Sequence, residues 1–137
     1  MNDSTRHALN GINQRFYDTH AEAFGQTRDH AWPGWDRAWA TLPRTQPLRL
    51  LDVGCGNGRF GAYLGGVAAS PVEYTGVDSS RALLERARQR TEILGSPRLE
   101  CLDWESAGPG ASLPSGPFEA VVGGVLATVV ALVVLEI

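Results

Sequence analysis

The chain has 137 residues, 43% of them hydrophobic, and a net charge of −3 with a pI near 5.5. That length allows one domain at most, and the acidic balance excludes a global attraction to nucleic acid, leaving room only for a local basic face. Cys55 and Cys101 are the only cysteines, too few for a disulfide framework or a zinc site, so a reducing, cytoplasmic setting is expected.

The polar N-terminus lacks an apolar signal core. The first forty residues read as helices: Leu9, Ile12 and Phe16 share one face, and Tyr17, Ala21 and Phe24 another. Pro33 can start a short helix that puts Trp35, Trp39 and Leu42 on one side. Pro43 and Pro47 bracket a linker. Residues 1–47 are therefore expected to form a helical cap, and 48–137 an α/β core, within a single domain.

The first strand is expected over Arg49 to Val53. It leads into Gly54-Cys55-Gly56-Asn57-Gly58 and a helix from about Arg59 to Gly65. Alternating glycines let a backbone turn tightly and approach a ligand closely. The helix aims its free amides at the same place. Asp52 adds a negative charge that suits an ammonium group better than a phosphate. The second strand runs from about Val72 to Val77 and ends at Asp78. A helix follows from about Ser80 to Leu94, with Ser79 or Asp78 as its N-cap and Leu83, Leu84, Ala87 and Leu94 on its apolar side. Gly95 and Pro97 end it. The third strand covers about Arg98 to Leu102 and ends at Asp103. Glu105 to Pro117 is a loop, and a fourth strand begins near Phe118. Strands alternating with helices imply parallel pairing and right-handed crossovers.

From Ala120 to Leu135 there is no charged residue. The run falls short of the roughly 20 residues of a membrane span and has no basic anchor. It reads as a buried strand followed by the start of another element, with a membrane segment as the minor alternative and no membrane partner expected.

In such a sheet, ligands sit beyond the carboxyl ends of the strands, where strand order reverses. Asp52, the glycine loop, Asp78 and Asp103 all fall on that rim. Asp78 lies 20 residues after Gly58, a spacing suited to an acid that accepts from both ribose hydroxyls, and an N-cap role is compatible with it. Gly56-x-Gly58-x-x-Gly61 also satisfies a dinucleotide fingerprint, which by itself is weak. The arginines at 81, 86, 88 and 90 read as a solvated helix face paired with Glu85 and Glu92. His7, His20 and His30 form no metal pattern, and Cys55 has no partner base at recognisable spacing.

Asp52, Gly54, Gly56 and Gly58 together resemble the first motif of class I S-adenosylmethionine-dependent methyltransferases. The resemblance extends from about Phe16 to Val129 and implies a Rossmann-like parallel sheet with N-terminal helices. It implies that the glycine loop, with Gly54, Cys55, Gly56 and Gly58, lies against the methionine part of S-adenosylmethionine. Asp52 would then help hold the cofactor's amino group, and Asp78 with Ser79 its ribose. Asp103 would accept from the adenine amino group, with Trp104 against the ring. Gly123, with Gly124 at the expected end of the fourth strand, would admit cofactor or substrate.

The N-terminal series Tyr17-Asp18, Ala21, Phe24, Thr27-Arg28 and Trp32-Pro33 is similar to that of methyltransferases that esterify the carboxymethyl group of a tRNA wobble uridine. That similarity implies Tyr17 and Arg28 over the methionine end, with Arg28 on its carboxylate. For Phe24, Trp35 and Trp39, covering the sheet is the better reading.

The family has seven strands, and this chain has room for about four, as though C-terminally truncated. After Gly123-Gly124-Val125-Leu126 the family usually shows two histidines, where this chain has Ala127-Thr128. The fourth strand would then be an unpaired apolar edge, to be covered by a protein partner, a homodimer or the tail from Val129 to Ile137. The alternatives to a tRNA methyltransferase are a small-molecule methyltransferase, a non-catalytic S-adenosylmethionine-binding module and a nicotinamide-dependent oxidoreductase.

Overall fold

The computed structural model describes residues 33–103, 112–125 and 128–132, together with Ser4, Thr5, Ala8, Leu9, Gly11, Ile12, Arg15 and Thr19, which are helical. Tyr17, Ala21, Phe24, Arg28 and Trp104 lie outside the described residues.

The element order is α1 (Gly34–Thr41), β1 (Leu48–Val53), α2 (Arg59–Val67), β2 (Val72–Asp78), α3 (Arg81–Arg90), a 3-10 turn over Glu92–Leu94, β3 (Arg98–Cys101), β4 (Ala120–Val125) and β5 (Thr128–Leu132). The sheet order is β3-β2-β1-β4-β5. The pairs β1–β2, β1–β4 and β2–β3 are parallel, as the strand–helix alternation predicts. The chain winds outward from β1 to β3 and then returns to the other side of β1. Strand order therefore reverses between β1 and β4, and the glycine loop leaves β1 at that point.

β1 is central, and its sequence shows why. Leu50 and Leu51 point to opposite faces, yet both are buried, as in a strand covered on each side. Leu48, Leu50, Val72 and Tyr74 join Phe60 and Leu64 of α2, Leu84 of α3, and Ala120 and Val122 of β4 in one core. Trp35 and Leu42 also enter this core and Trp39 packs against it, so the α1 aromatics cover the sheet as expected. Trp35 meets the Phe60 ring edge-on at 5.8 Å, and Tyr63 of α2 donates to Asp36 of α1. These contacts fasten α1 to α2. Leu9 and Ile12 are exposed.

Two details around α3 differ from the sequence reading. Ser80, rather than Ser79 or Asp78, caps α3: its hydroxyl accepts from the Leu83 amide at 3.3 Å. The expected single helix to Leu94 ends at Arg90 and continues as the 3-10 turn. The β4 edge is covered by the chain's own tail, one of the three coverings the sequence left open. β5 returns antiparallel along it, with Val125 opposite Thr128 and Val121 opposite Leu132. The apolar run carries no turn residue at the reversal, so the sequence leaves the type of its second element open. Gly123 and Gly124 consequently lie inside β4 rather than at its end. Among the described residues, no helix is long and apolar enough to cross a membrane.

Candidate functional site

Glycines 54, 56 and 58 have φ values of 73°, 55° and 80°, in the left-handed region that side chains with a Cβ avoid. The alternation of glycine in sequence is thus an alternation of backbone handedness. The loop is tied down at both ends. The amides of Gly54 and Cys55 donate to the Val77 carbonyl at 2.8 and 3.0 Å, and the Gly58 amide donates to the Cys55 carbonyl at 3.0 Å. Gly58 caps α2 and abuts α3, where an added Cβ would lie 2.8 Å from the Ala87 Cα. At Gly56 an added Cβ would meet nothing within 4 Å. The loop therefore has one packed side and one open side.

Asp78 fixes the open side. Its Oδ2 accepts from the Gly56 amide and its Oδ1 from the Ser80 amide, each at 2.9 Å. One carboxylate thus joins the glycine loop to the start of α3. Each oxygen keeps a lone pair for a further donor. The Leu102 amide donates to the Asp78 carbonyl at 2.9 Å, which brings half-buried Asp103 to the same rim. Ser79 is half-buried, and its carbonyl accepts from the Cys101 thiol at 3.6 Å. Gly123 stands opposite Val53, the last residue of β1, beside the loop.

Asp52 sits deeper than the sequence suggests. It is 4% exposed, and its Oδ2 accepts from the Tyr74 hydroxyl at 2.6 Å. Burial pushes its carboxyl up to about 7; the Tyr74 hydrogen bond pulls against that rise and the Asp78 charge adds to it. Burial, then the charges of Asp52 and Asp78, push the Cys55 thiol up, so it stays neutral and is no nucleophile.

The structure thus gathers Asp52, Gly54, Cys55, Gly56, Gly58, Asp78, Ser79 and Asp103 at the carboxyl ends of β1, β2 and β3, while Gly123 lies within β4 opposite Val53. Trp104, Tyr17 and Arg28, the remaining expected contributors, lie outside the described residues. Sequence reasoning missed Tyr74 and Gly76. A Cβ on Gly76 would come within 2.9 Å of the Cys55 Sγ and 3.1 Å of the Tyr74 Cε1, so Gly76 makes room beneath the loop. The available signal was a tyrosine inside a buried strand, whose hydroxyl requires a partner. Among the described residues, no group of three or more His, Cys, Asp and Glu is arranged to hold a metal ion.

The family described as "Methyltransferase domain" matches residues 51–131, more than half of the chain. The chain belongs to the methyltransferase-domain family. This is the class I family whose cofactor is S-adenosylmethionine, and the Rossmann-like sheet is its fold. Carboxy-S-adenosyl-L-methionine synthase from Helicobacter pylori strain ATCC 700392 / 26695 is 30% identical over 63 residues, 45% of this chain and 26% of that protein. The corresponding synthase of strain P12 is 31% identical over 62 residues, 45% of this chain and 25% of that protein. The methyltransferase domain thus spans about a quarter of the length of the curated relatives it matches.

Solved structures share its fold. The [4+2]-cyclase SpnF aligns with a TM-score of 0.58 and 19% identity, covering 79% of this chain and 46% of that one. Phosphoethanolamine N-methyltransferase 1 of Haemonchus contortus aligns with a TM-score of 0.55 and 19% identity, covering 75% and 22%. A complex of the Haloferax volcanii Trm112 methyltransferase activator with a putative methyltransferase gives a TM-score of 0.54 and 21% identity, covering 66% and 39%.

The residues present have chemistry that fits such a cofactor. The backbone at Gly56 is open to a ligand. Asp78 is a rim carboxylate with spare lone pairs, which suits a vicinal diol, and Asp103 lies on the same rim. Asp52 is a buried acid near the end of β1.

Proposed function

We propose that the chain is an S-adenosylmethionine-dependent methyltransferase that transfers a methyl group to a nucleophilic oxygen or nitrogen. The observation that carries this is Asp78 bridging the amides of Gly56 and Ser80, which holds an open glycine loop at the switch point of the sheet. In this reading the loop cradles the methionine portion, Asp78 with Ser79 binds the ribose, Asp103 the adenine, and Asp52 the ammonium side. Trp104, Tyr17, Arg28 and Gly123 complete the pocket. The cofactor supplies the methyl group on its sulfonium. The chain's own contribution is to fix that carbon in line with an acceptor, and alignment alone accounts for a large rate gain without a covalent intermediate. A carboxylate acceptor is already ionised and needs no general base.

The finer reading is that the acceptor is the carboxymethyl group of a tRNA wobble uridine. The Tyr17-Asp18, Thr27-Arg28 and Trp32-Pro33 series supports it. The Helicobacter pylori relatives are named for a carboxylated S-adenosylmethionine, which supports the cofactor class and leaves the acceptor to experiment. The second reading, a cofactor-binding module without catalysis, is favoured by Ala127-Thr128 where the family usually shows histidines.

Calorimetric titration with S-adenosylmethionine, with NAD as control, tests the cofactor. Saturable binding of the first alone is expected, and binding of NAD alone would overturn the reading. Transfer of a labelled methyl group to tRNA bearing a carboxymethylated wobble uridine, against a small carboxylic acid, then tests the acceptor. Binding without transfer to any acceptor would leave the non-catalytic module.

A further inference from the structure

Beneath the glycine loop lies a buried polar group that a binding loop alone does not require. Tyr74 is 2% exposed and Asp52 4%, and their oxygens are 2.6 Å apart. The tyrosine ring occupies a slot cut by two glycines on different elements. A Cβ on Gly61 of α2 would come 3.0 Å from the Tyr74 Cζ, and one on Gly76 would come 3.1 Å from its Cε1. A side chain at either position would crowd the ring and press it away from its present place. Among the described residues, the titratable groups set against Asp52 are Tyr74 and Asp78 of β2 and Cys55 of the loop. No cation is among them.

We propose that Tyr74 is a positioning residue for the cofactor site, and that a ligand carrying an ammonium group displaces one proton from the Asp52–Tyr74 pair on binding. The inference rests on the reading of Asp52 as the acid on the ammonium side. Before binding, the proton is held within a buried pair that has no positive neighbour among the described residues. An ammonium group above Gly56 brings a cation to that pair, and an opposite charge nearby favours the carboxylate. Asp52 then passes from carboxylic acid to carboxylate, and its proton leaves to bulk buffer. The Tyr74 and Cys55 groups do not take the released charge, because burial pushes both up and keeps them neutral. Tyr74 keeps donating to Asp52, so it stabilises the carboxylate that the ligand needs.

Two consequences distinguish this from a tyrosine that only fills the core. Affinity for the cationic ligand falls as pH drops below neutral, approaching about tenfold per pH unit where one proton is displaced. Removal of the Tyr74 hydroxyl withdraws a bond that holds Asp52 down, so the pH at which affinity falls moves upward.

The test is calorimetry on the full chain at pH 5–7, where the ligand's α-amino group stays protonated, in phosphate and in an amine buffer of high ionisation enthalpy. S-adenosylhomocysteine is the probe, because it has the ammonium group without the sulfonium. 5′-Methylthioadenosine, which has neither, is the control. Release of up to one proton with S-adenosylhomocysteine and none with methylthioadenosine is expected. Tyr74→Phe should move the affinity profile to higher pH, and Asp52→Asn should bind more weakly with no proton release. Equal heats in the two buffers across the range, with binding intact, would overturn the inference and leave the cofactor assignment standing. Failure of the folded wild-type chain to bind S-adenosylhomocysteine at all would overturn both. A Tyr74→Phe variant that loses affinity equally at every pH would reduce Tyr74 to packing.

Discussion

The carboxylate of Asp78 and the amide of Gly56 stand 2.9 Å apart across 22 residues of chain. The other carboxylate oxygen holds the Ser80 amide at the same distance. A loop that local glycine preferences leave free to move is thereby fixed against the helix that follows the next strand. This side chain sets the geometry at the strand switch point together with the Gly54 and Cys55 amides on the Val77 carbonyl.

Asp78→Ala therefore removes a loop anchor and, on the proposed reading, a ribose acceptor with it. Loss of hydrogen bonds to a charged group predicts a drop of about 10- to 100-fold in affinity for S-adenosylmethionine. Calorimetric titration of the variant against wild type measures it, and unchanged affinity would show that neither role operates.

Gly58 and Gly56 separate packing from binding. Gly58→Ala forces a left-handed residue and a collision with the α3 backbone, and is expected to cost about 2–4 kcal/mol in a urea titration. Gly56→Ala meets open space, so the cost to folding is about 1–2 kcal/mol from the backbone alone. Its larger effect is on affinity, because the new methyl group lies where the ligand would be. Equal urea midpoints for the two variants would contradict the assignment of packed and open sides.

Asp52 gives the fold a pH dependence of definite sign. Its carboxyl is raised from an ordinary 3.8 to about 7 by burial. Between those values the folded chain keeps a proton that the unfolded chain has released. Stability therefore falls as pH rises from about 4 to about 7, by at most about 1.4 kcal/mol per pH unit, and levels off above. Melting temperatures from pH 4 to pH 8.5 should show this slope in the wild type and lose it in Asp52→Asn.

Glu119 acts in the opposite sense at the opposite end of the sheet. Its side chain accepts from the Arg49 amide at 2.7 Å and from the Arg49 guanidinium, and those bonds hold its carboxyl below the ordinary range. The resulting stability is present above the ordinary carboxylate range and is lost as pH falls through the lowered value. The pair is partly exposed, so Glu119→Gln is expected to cost about 1 kcal/mol or less at neutral pH. Ligand affinity should be unchanged, and a change of more than about twofold, a few tenths of a kcal/mol, would mean that the two ends of β1 are coupled.

Much of this protein is written in short stretches of its chain. The β1–loop–α2 passage is legible because each glycine from 54 to 58 answers a local need for positive φ. The placement of Asp52, Asp78 and Asp103 at strand ends follows from counting apolar runs. Trp35 and Leu42 declare their burial through helical spacing. Such features depend on neighbours within a few residues, and the sequence by itself determines them.

Only the tertiary structure decided what these residues touch. The sequence offers Asp78 as an N-cap or a ribose ligand, but it reaches Gly56 only when β1 and β2 lie in register. Asp52 reads in sequence as a negative charge beside a turn, yet it is buried, and Tyr74, 22 residues later, partners it. The slot for Tyr74 depends on Gly61 and Gly76, whose meaning appears only when α2 packs on the sheet. The apolar run after Glu119 folds back as β5, with no turn residue to announce it. Backbone conformation is a local matter of sterics. Burial, charge state and edge pairing are set by which distant segments meet, and that is why they waited for the fold.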